Sequence, residues 1–211
     1  MRSAGASLAV MSVSRLFLVL VVALAAGCGD KPKLSRLPGD AVVLAFGDSL
    51  TYGTGANENE SYPAQLARMT GRHVAREGVP GEVSAAGLAR LPAALDEHRP
   101  RLLILCHGGN DFLRRLPKDQ AAQNLRAMIR LARERGVDVL LIGTPEIGFT
   151  LSPPDFYAEI AKEFRIPYEG EALTKILRNG ELKSDQVHPN ARGYRLMAER
   201  VAELLRRSGA L

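Results

Sequence analysis

The sequence predicts an α/β domain of three layers, with helices on both faces of a parallel sheet. Three observations carry this. Short apolar runs of strand length alternate with longer segments of helical period. The clearest runs, 42–46 and 102–106, lack the polar alternation of a strand with one wet face, so they read as buried on both sides. The connections are short and suit right-handed crossovers. In order, Val42 to Phe46 form the first strand, stopped by Gly47-Asp48-Ser49. A helix over 62–69 is started by Pro63 and stopped by Gly71. Residues 73–79 can form a short second strand, followed by the Pro80-Gly81 turn and a helix near 85–95 that Pro92 kinks or caps. Residues 102–106 are the third strand. A helix over 119–135 carries Leu125, Met128, Ile129 and Ala132 at helical spacing, and 137–142 is the fourth strand. Residues 154–164 are helical after a proline-rich loop, and 166–168 form a short fifth strand. The last helix, 191–207, turns Tyr194, Met197, Val201, Leu204 and Leu205 inward. No repeat and no second domain is visible in the 211 residues.

The first 27 residues read as a leader. Arg15 precedes an apolar run over 16–26, short for a bilayer span and of the right size for a signal-peptide core. A buried core helix would need a polar face, which this run lacks. Ala25, Ala26 and Gly27 directly before Cys28 resemble a bacterial lipobox, with Ala25 where leucine is more usual. The expectation is therefore an exported, membrane-anchored lipoprotein facing the periplasm, lipidated at Cys28; simple secretion and an uncleaved anchor are the alternatives. Met11 offers a second start with a more compact basic region. Residues 28–40 read as a polar tether, and 41–211 as the working domain. The only other cysteine, Cys106, lies in an apolar run and reads as a small buried residue, so no disulfide framework is implied. Losing Arg2 and Arg15 with the leader lowers the formal charge from +5 to +3. The arginines are spread along helices and no basic run interleaves with aromatics, which argues against a nucleic-acid partner. The domain is expected to act as a monomer.

Chemistry concentrates where strands end. Ser49 follows the first strand at what would be its carboxyl end, where parallel sheets place their sites. On this stretch alone it is equally a nucleophile or the N-cap of the next helix. A serine hydroxyl needs a base and an orienting group. Of four histidines, His73 lies in a possible strand, His98 in an Asp-Glu-His-Arg loop expected to be exposed, and His107 directly after the third strand; surface or packing roles suit all three. His188 differs, because Asp185 stands three residues before it in a loop ahead of the last helix. That spacing lets Asp185 accept from Nδ1–H and leaves Nε2 for the serine. As a lone pattern it equally fits a loop leading into a helix, with Pro189 in the first turn. Donors for an oxyanion are available from the Ser49 and Gly81 amides and the Asn110 side chain within Gly108-Gly109-Asn110-Asp111. A plain turn is the alternative for the two glycines.

Gly47-Asp48-Ser49-Leu50-Thr51, then Gly81, then Gly108-Gly109-Asn110-Asp111, then Asp185-x-x-His188-Pro189 resemble the four blocks of the SGNH hydrolases, also called GDSL esterases. The resemblance spans residues 42 to about 207. It is nearest the bacterial periplasmic branch with thioesterase, lysophospholipase and arylesterase activity, because Gly81-Glu82-Val83-Ser84 and 87–92 fit that branch's second block. It implies a flavodoxin-like sheet of five strands, Ser49 as nucleophile, His188 as base, Asp185 as its orienter, and Ser49, Gly81 and Asn110 as oxyanion donors. Glu82 stands where that branch often has aspartate, a departure not expected to touch the chemistry.

Other motifs fail on their residues. Gly47-Asp48-Ser49-Leu50-Thr51 lacks the second glycine of a Gly-x-Ser-x-Gly elbow. Gly53-Thr54-Gly55 continues into Ala56-Asn57-Glu58, which breaks a dinucleotide fingerprint. No cofactor is expected, and Asp185 and His188 are too few ligands for a metal; Asp48 and Asp111 read as structural hydrogen-bonders. The expected substrate is a small-molecule or lipid acyl ester. Phe149, Leu151, Phe156 and Tyr157 could wall an acyl groove or belong to the core. Arg114, Arg115 and Lys118 could favour anionic substrates or form a solvated loop. An O-acetyl esterase acting on envelope polysaccharide, or a non-catalytic glycan-binding lipoprotein, would use the same cleft.

Overall fold

The computed structural model describes residues 32–148 and 151–211. The expected leader and Cys28 lie outside them, as does Phe149. Five strands, β1 (Val42–Gly47), β2 (His73–Gly78), β3 (Leu102–Cys106), β4 (Asp138–Ile142) and β5 (Tyr168–Glu169), form one sheet in the order β2-β1-β3-β4-β5. Every pairing is parallel. The strand order reverses direction beside β1, between β2 and β3, which opens a crevice at their carboxyl ends.

The layers follow from the two-residue period of the strands. Val43, Ala45, Ile104, Cys106, Leu140 and Ile142 face one side, where α2 (Tyr62–Thr70), α7 (Ala172–Arg178) and α8 (Ala191–Arg207) cover them with Tyr62, Leu66, Ile176, Tyr194 and Met197. Leu44, Phe46, Leu103, Leu105, Val139 and Leu141 face the other side. There α3 (Ser84–His98), α5 (Lys118–Glu134) and α6 (Phe156–Phe164) bring Leu91, Leu125, Met128 and Ile160. The absence of polar alternation in β1 and β3 is thus the mark of a sheet covered twice. Two short helices, α1 (Ser49–Tyr52) and α4 (Gly109–Leu113), stand directly on the ends of β1 and β3.

Several expectations shift. The helix over Ser84–His98 continues past Pro92, which therefore does not cap it. His98, expected in an exposed loop, ends that helix half-buried, with Nε2 at 3.0 Å from Glu77 Oε1. The fifth strand begins two residues later than expected: the Ile166 amide closes the end of α6 on Ala161, and Pro167 has no N–H to offer the ladder. Helix α7 was not expected; the Glu169 carboxylate caps it by accepting from the amides of Glu171 and Ala172. The expected tether, described from Pro32 on, is docked in part. Leu34 and Leu37 donate to the carbonyls of Ser208 and Ala210, and Leu37 is buried. Among the described residues, no helix is long and apolar enough to cross a membrane.

The crevice requires β1 and β3 to end in contact. A Cβ on Gly47 would collide with the Cys106 carbonyl and with Thr51 Oγ1. Gly47→Ala is expected to lower the stability of the folded chain by about 3 kcal/mol, the upper range for overpacking a close-packed interior. Urea unfolding of the two proteins reads this directly.

Candidate active site

The site is assembled from the loops that follow β1, β2, β3 and the last helix's leading segment. Asp48, the buried residue after β1, accepts from the Leu50 amide at 3.0 Å and so caps α1. The cap is therefore Asp48, and Ser49 is the first residue of the helix, with its side chain free for another partner. Gly53, at φ 95°, ends the helix after one turn.

Asp185 builds the opposite wall. One carboxylate oxygen accepts from the amides of Val187 and His188, both at 2.8 Å, and the other meets His188 Nδ1 at 2.8 Å. A carboxylate only accepts, so Nδ1 carries a proton, and in the neutral ring Nε2 is left as the acceptor. Nε2 lies 3.0 Å from Ser49 Oγ. Burial acts to raise the Asp185 pKa, but the His188 ring and the two amides outweigh it and hold the carboxyl below the ordinary 3.8. The loop is held against α1 because Tyr194 Oη donates to the Thr54 carbonyl at 2.8 Å. At Gly55 (φ 97°) a Cβ would strike Ser184 and Pro189, so close approach here requires glycine. Pro189, expected in the first helical turn, precedes the cap; Asn190 caps α8 through the amides of Arg192 and Gly193.

The expected oxyanion donors meet in the same cleft. Ser49, Gly81 and Asn110 all line it, with Gly81 at φ 79° after β2. Asn110 Nδ2 donates to Asp48 Oδ2 at 3.2 Å and to the Glu82 carbonyl at 3.0 Å. The Gly108-Gly109 stretch is a helix start more than a plain turn: α4 begins at Gly109, and Gly108 (φ 110°) brings the chain against Tyr157 Oη. Asp111 accepts from the Ser84 amide and hydroxyl at 2.8 and 2.6 Å, tying α4 to α3. Asp48 and Asp111 thus act as the hydrogen-bonders the sequence suggested. Burial raises the Asp48 pKa, opposed by His107, the Leu50 amide and His188.

Beneath the donors lies a group that spacing did not single out as a unit. Glu82 accepts from Arg90 Nε and Nη2 at 2.9 and 2.8 Å and from His107 Nε2 at 3.1 Å. His107 is fully buried; its Nδ1 accepts from the Gly108 amide, and its carbonyl accepts from Tyr157 Oη at 2.7 Å. These contacts join residues far apart in sequence, so periodicity carried no trace of them.

The cleft, about 240 Å³, is walled by apolar side chains, and of the two readings left open for Phe156 and Tyr157 the core one holds. Tyr157 is buried, Phe156 stacks on it at 4.5 Å between ring centres, and Leu151 lies outside the lining. Leu50, Leu113, Ile147, Leu177 and Val187 form the walls instead. Arg114, Arg115 and Lys118 are exposed; Arg114 donates to the Gly81 carbonyl at 2.7 Å and Lys118 pairs with Glu146.

A family model described as "GDSL-like Lipase/Acylhydrolase family" matches residues 45–196, which hold every residue of this cleft. The chain belongs to that family. Among relatives in the family, "Esterase TesA" of Pseudomonas aeruginosa is 30% identical over 179 residues, covering 79% of this chain and 88% of its own. "Thioesterase 1/protease 1/lysophospholipase L1" of Escherichia coli K12 is 30% identical over 171 residues, 77% of this chain and 82% of its own. A crystal structure of TesA superposes with a TM-score of 0.71 at 27% identity, covering 79% of this chain and 99% of that one. The five-stranded parallel α/β architecture is the one this family uses.

Burial opposes ionisation of Glu82, but the bonds from His107 and Arg90 prevail and lower its pKa from 4.5 to about 2. Between those values the unfolded chain binds the proton and the folded chain does not. The contribution of Glu82 to stability is complete above pH 4.5 and is lost as pH falls through about 2. Urea midpoints measured across that window should fall more steeply with acid for the natural chain than for Glu82→Gln.

Proposed function

We propose that this protein is a serine hydrolase that cleaves carboxylic esters or thioesters through an acyl-enzyme. The observation that carries the reading is the line from Asp185 through His188 to Ser49, with contacts of 2.8 and 3.0 Å, at the mouth of an apolar cleft. The names of the relatives, an esterase and a thioesterase with lysophospholipase activity, support it.

Ser49 Oγ bonds to the acyl carbon while its proton passes to His188 Nε2. The carbonyl electron pair moves onto oxygen, where the Ser49 and Gly81 amides and Asn110 Nδ2 receive it. Collapse of that intermediate expels the alcohol or thiol, which takes the proton from His188. Water then gives a proton to His188 and adds to the acyl carbon, and the acid leaves as Ser49 recovers its proton. Asp185 keeps the ring in the tautomer that makes Nε2 the acceptor, and stabilises the imidazolium between the steps. The start of α1 also favours negative charge beside Ser49. The acyl chain lies along Leu113, Ile147, Leu177 and Val187, a wall better suited to alkyl groups than to a sugar.

A fluorophosphonate probe should label the natural chain and fail to label Ser49→Ala, whose turnover on a broad ester panel should drop by about 10⁴-fold or more. Equal labelling of both would overturn the assignment. Burial of each added methylene is worth about 0.8 kcal/mol. On nitrophenyl and CoA esters kcat/KM should therefore climb from acetyl to longer chains by up to about fourfold per methylene. A flat series, or preference for acetyl with acetate released from acetylated polysaccharide, would replace this substrate class with the O-acetyl esterase reading.

A further inference from the structure

Three oxyanion donors must aim at one point, and one of them, the Gly81 amide, hangs from a turn with little else to fix it. Val79 and Pro80 are exposed, and Gly81 sits at φ 79° without a Cβ to pack. The turn is closed by the Glu82 amide on the Val79 carbonyl at 3.1 Å. Arg114, which reaches the Gly81 carbonyl, is itself exposed and holds only the far side of that residue. What is firmly held is the next residue. Three hydrogen bonds grip the Glu82 carboxylate, two from Arg90 and one from buried His107. Arg90 is in turn fixed by Glu77 at 3.0 Å and by the Phe46 ring, 4.1 Å from its guanidinium carbon.

The backbone of Glu82 touches both donors. Its amide nitrogen belongs to the peptide that begins at Gly81, and its carbonyl accepts one N–H of Asn110 at 3.0 Å. The other N–H of Asn110 rests on Asp48 at 3.2 Å, the longer bond. Asp48 lines the cleft and Glu82 does not, so the bond to Asp48 is the one an oxyanion would replace, while the bond to Glu82 stays as a pivot. His107 links the same carboxylate to the other end of the pair, because its Nδ1 holds the amide of Gly108, two residues before Asn110.

We infer that Glu82 is a positioning residue for the oxyanion donors: its carboxylate, gripped by Arg90 and His107 beneath the cleft, fixes residue 82 so that the Gly81 amide and the Asn110 side chain point at one spot. This rests on the acyl-transfer reading above. Neither Glu82, Arg90 nor His107 lines the cleft, so the effect runs through the donors and not through contact with substrate. Because the donors act on charge that develops only in the transition state, the signature is a loss in kcat with KM nearly unchanged.

The test is a double-mutant cycle at neutral pH, well below the unfolding midpoint of every variant, with Ser49→Ala as the reference for the reading itself. Removing one oxyanion donor costs about 10²–10³-fold in turnover. Glu82→Gln, which displaces donors without deleting them, should lower kcat by about tenfold to a hundredfold with KM within about twofold. Glu82→Asp, which keeps the charge, should recover most of that loss. In an Asn110→Ala background the Glu82→Gln step should cost several-fold less than in the natural chain, because one of the two donors it aims is gone. If Glu82→Gln does not fold, Arg90→Lys, which exchanges the fork for a single ammonium, carries the same expectations. An unchanged kcat, a loss confined to KM, or losses that multiply fully with those of Asn110→Ala would overturn the inference. Should Ser49→Ala retain turnover, the acyl-transfer reading fails instead, and the two failures are told apart.

Discussion

The pairing of β1 with a parallel neighbour on each side is the constraint from which the site is built. Six residues of β1 are in register with β2 and five with β3, and the registers meet at Gly47, opposite Gly78 and Cys106. Three chains therefore leave the sheet side by side at one level. The segment after β1 begins with Asp48 and Ser49, that after β2 reaches Gly81, and that after β3 reaches Asn110. The hydrogen-bond ladder thus delivers the three segments to one place, and the contacts beyond it set the final aim. The close approach of Gly47 to the Cys106 carbonyl and of Gly78 to the α1 backbone lets α1 sit flat on the strand ends. Only the Asp185-His188 loop comes from elsewhere.

The two halves of the site differ in how they are held. The donor side rests on buried polar groups, Asp48, Ser84, His107 and Asp111, each with partners inside the protein. In such surroundings a satisfied network is stiff and a missing member is costly. The side that carries the base is a surface loop, organised chiefly by one exposed carboxylate that closes its own turn and holds the ring. A rigid floor with a base on a lighter support suits a reaction in which the oxyanion position must not move, while the imidazole must accept a proton and then deliver it to a different atom.

The sequence made most of this legible because strand and helix periods are local. The runs 42–46 and 102–106 and the helix 191–207 need only a short window to be recognised. Ser49, Gly81, Asn110, Asp185 and His188 stood out because loops at strand ends carry residues that packing does not explain. What escaped depends on contacts between distant residues. The start of β5 is set by where Ile166 spends its amide, and α7 by a Glu169 carboxylate reaching forward to cap it. For Phe156 and Tyr157 the sequence left groove and core open, and only the contact of Tyr157 with the His107 carbonyl decides for the core. Glu82 reads as a conservative departure until Arg90, from α3, and His107, directly after β3, are seen to converge on it.

The docking of Leu34 and Leu37 beside Ser208 and Ala210 has a topological consequence. Ser35 donates to Asp138, the first residue of β4, and Arg72, just ahead of β2, donates to the Leu37 carbonyl. Both ends of the domain thus meet at the amino ends of the strands, one sheet length away from the cleft. A chain joined directly from one end to the other would span a short gap, which makes the fold a natural candidate for circular permutation with new ends opened in a surface loop.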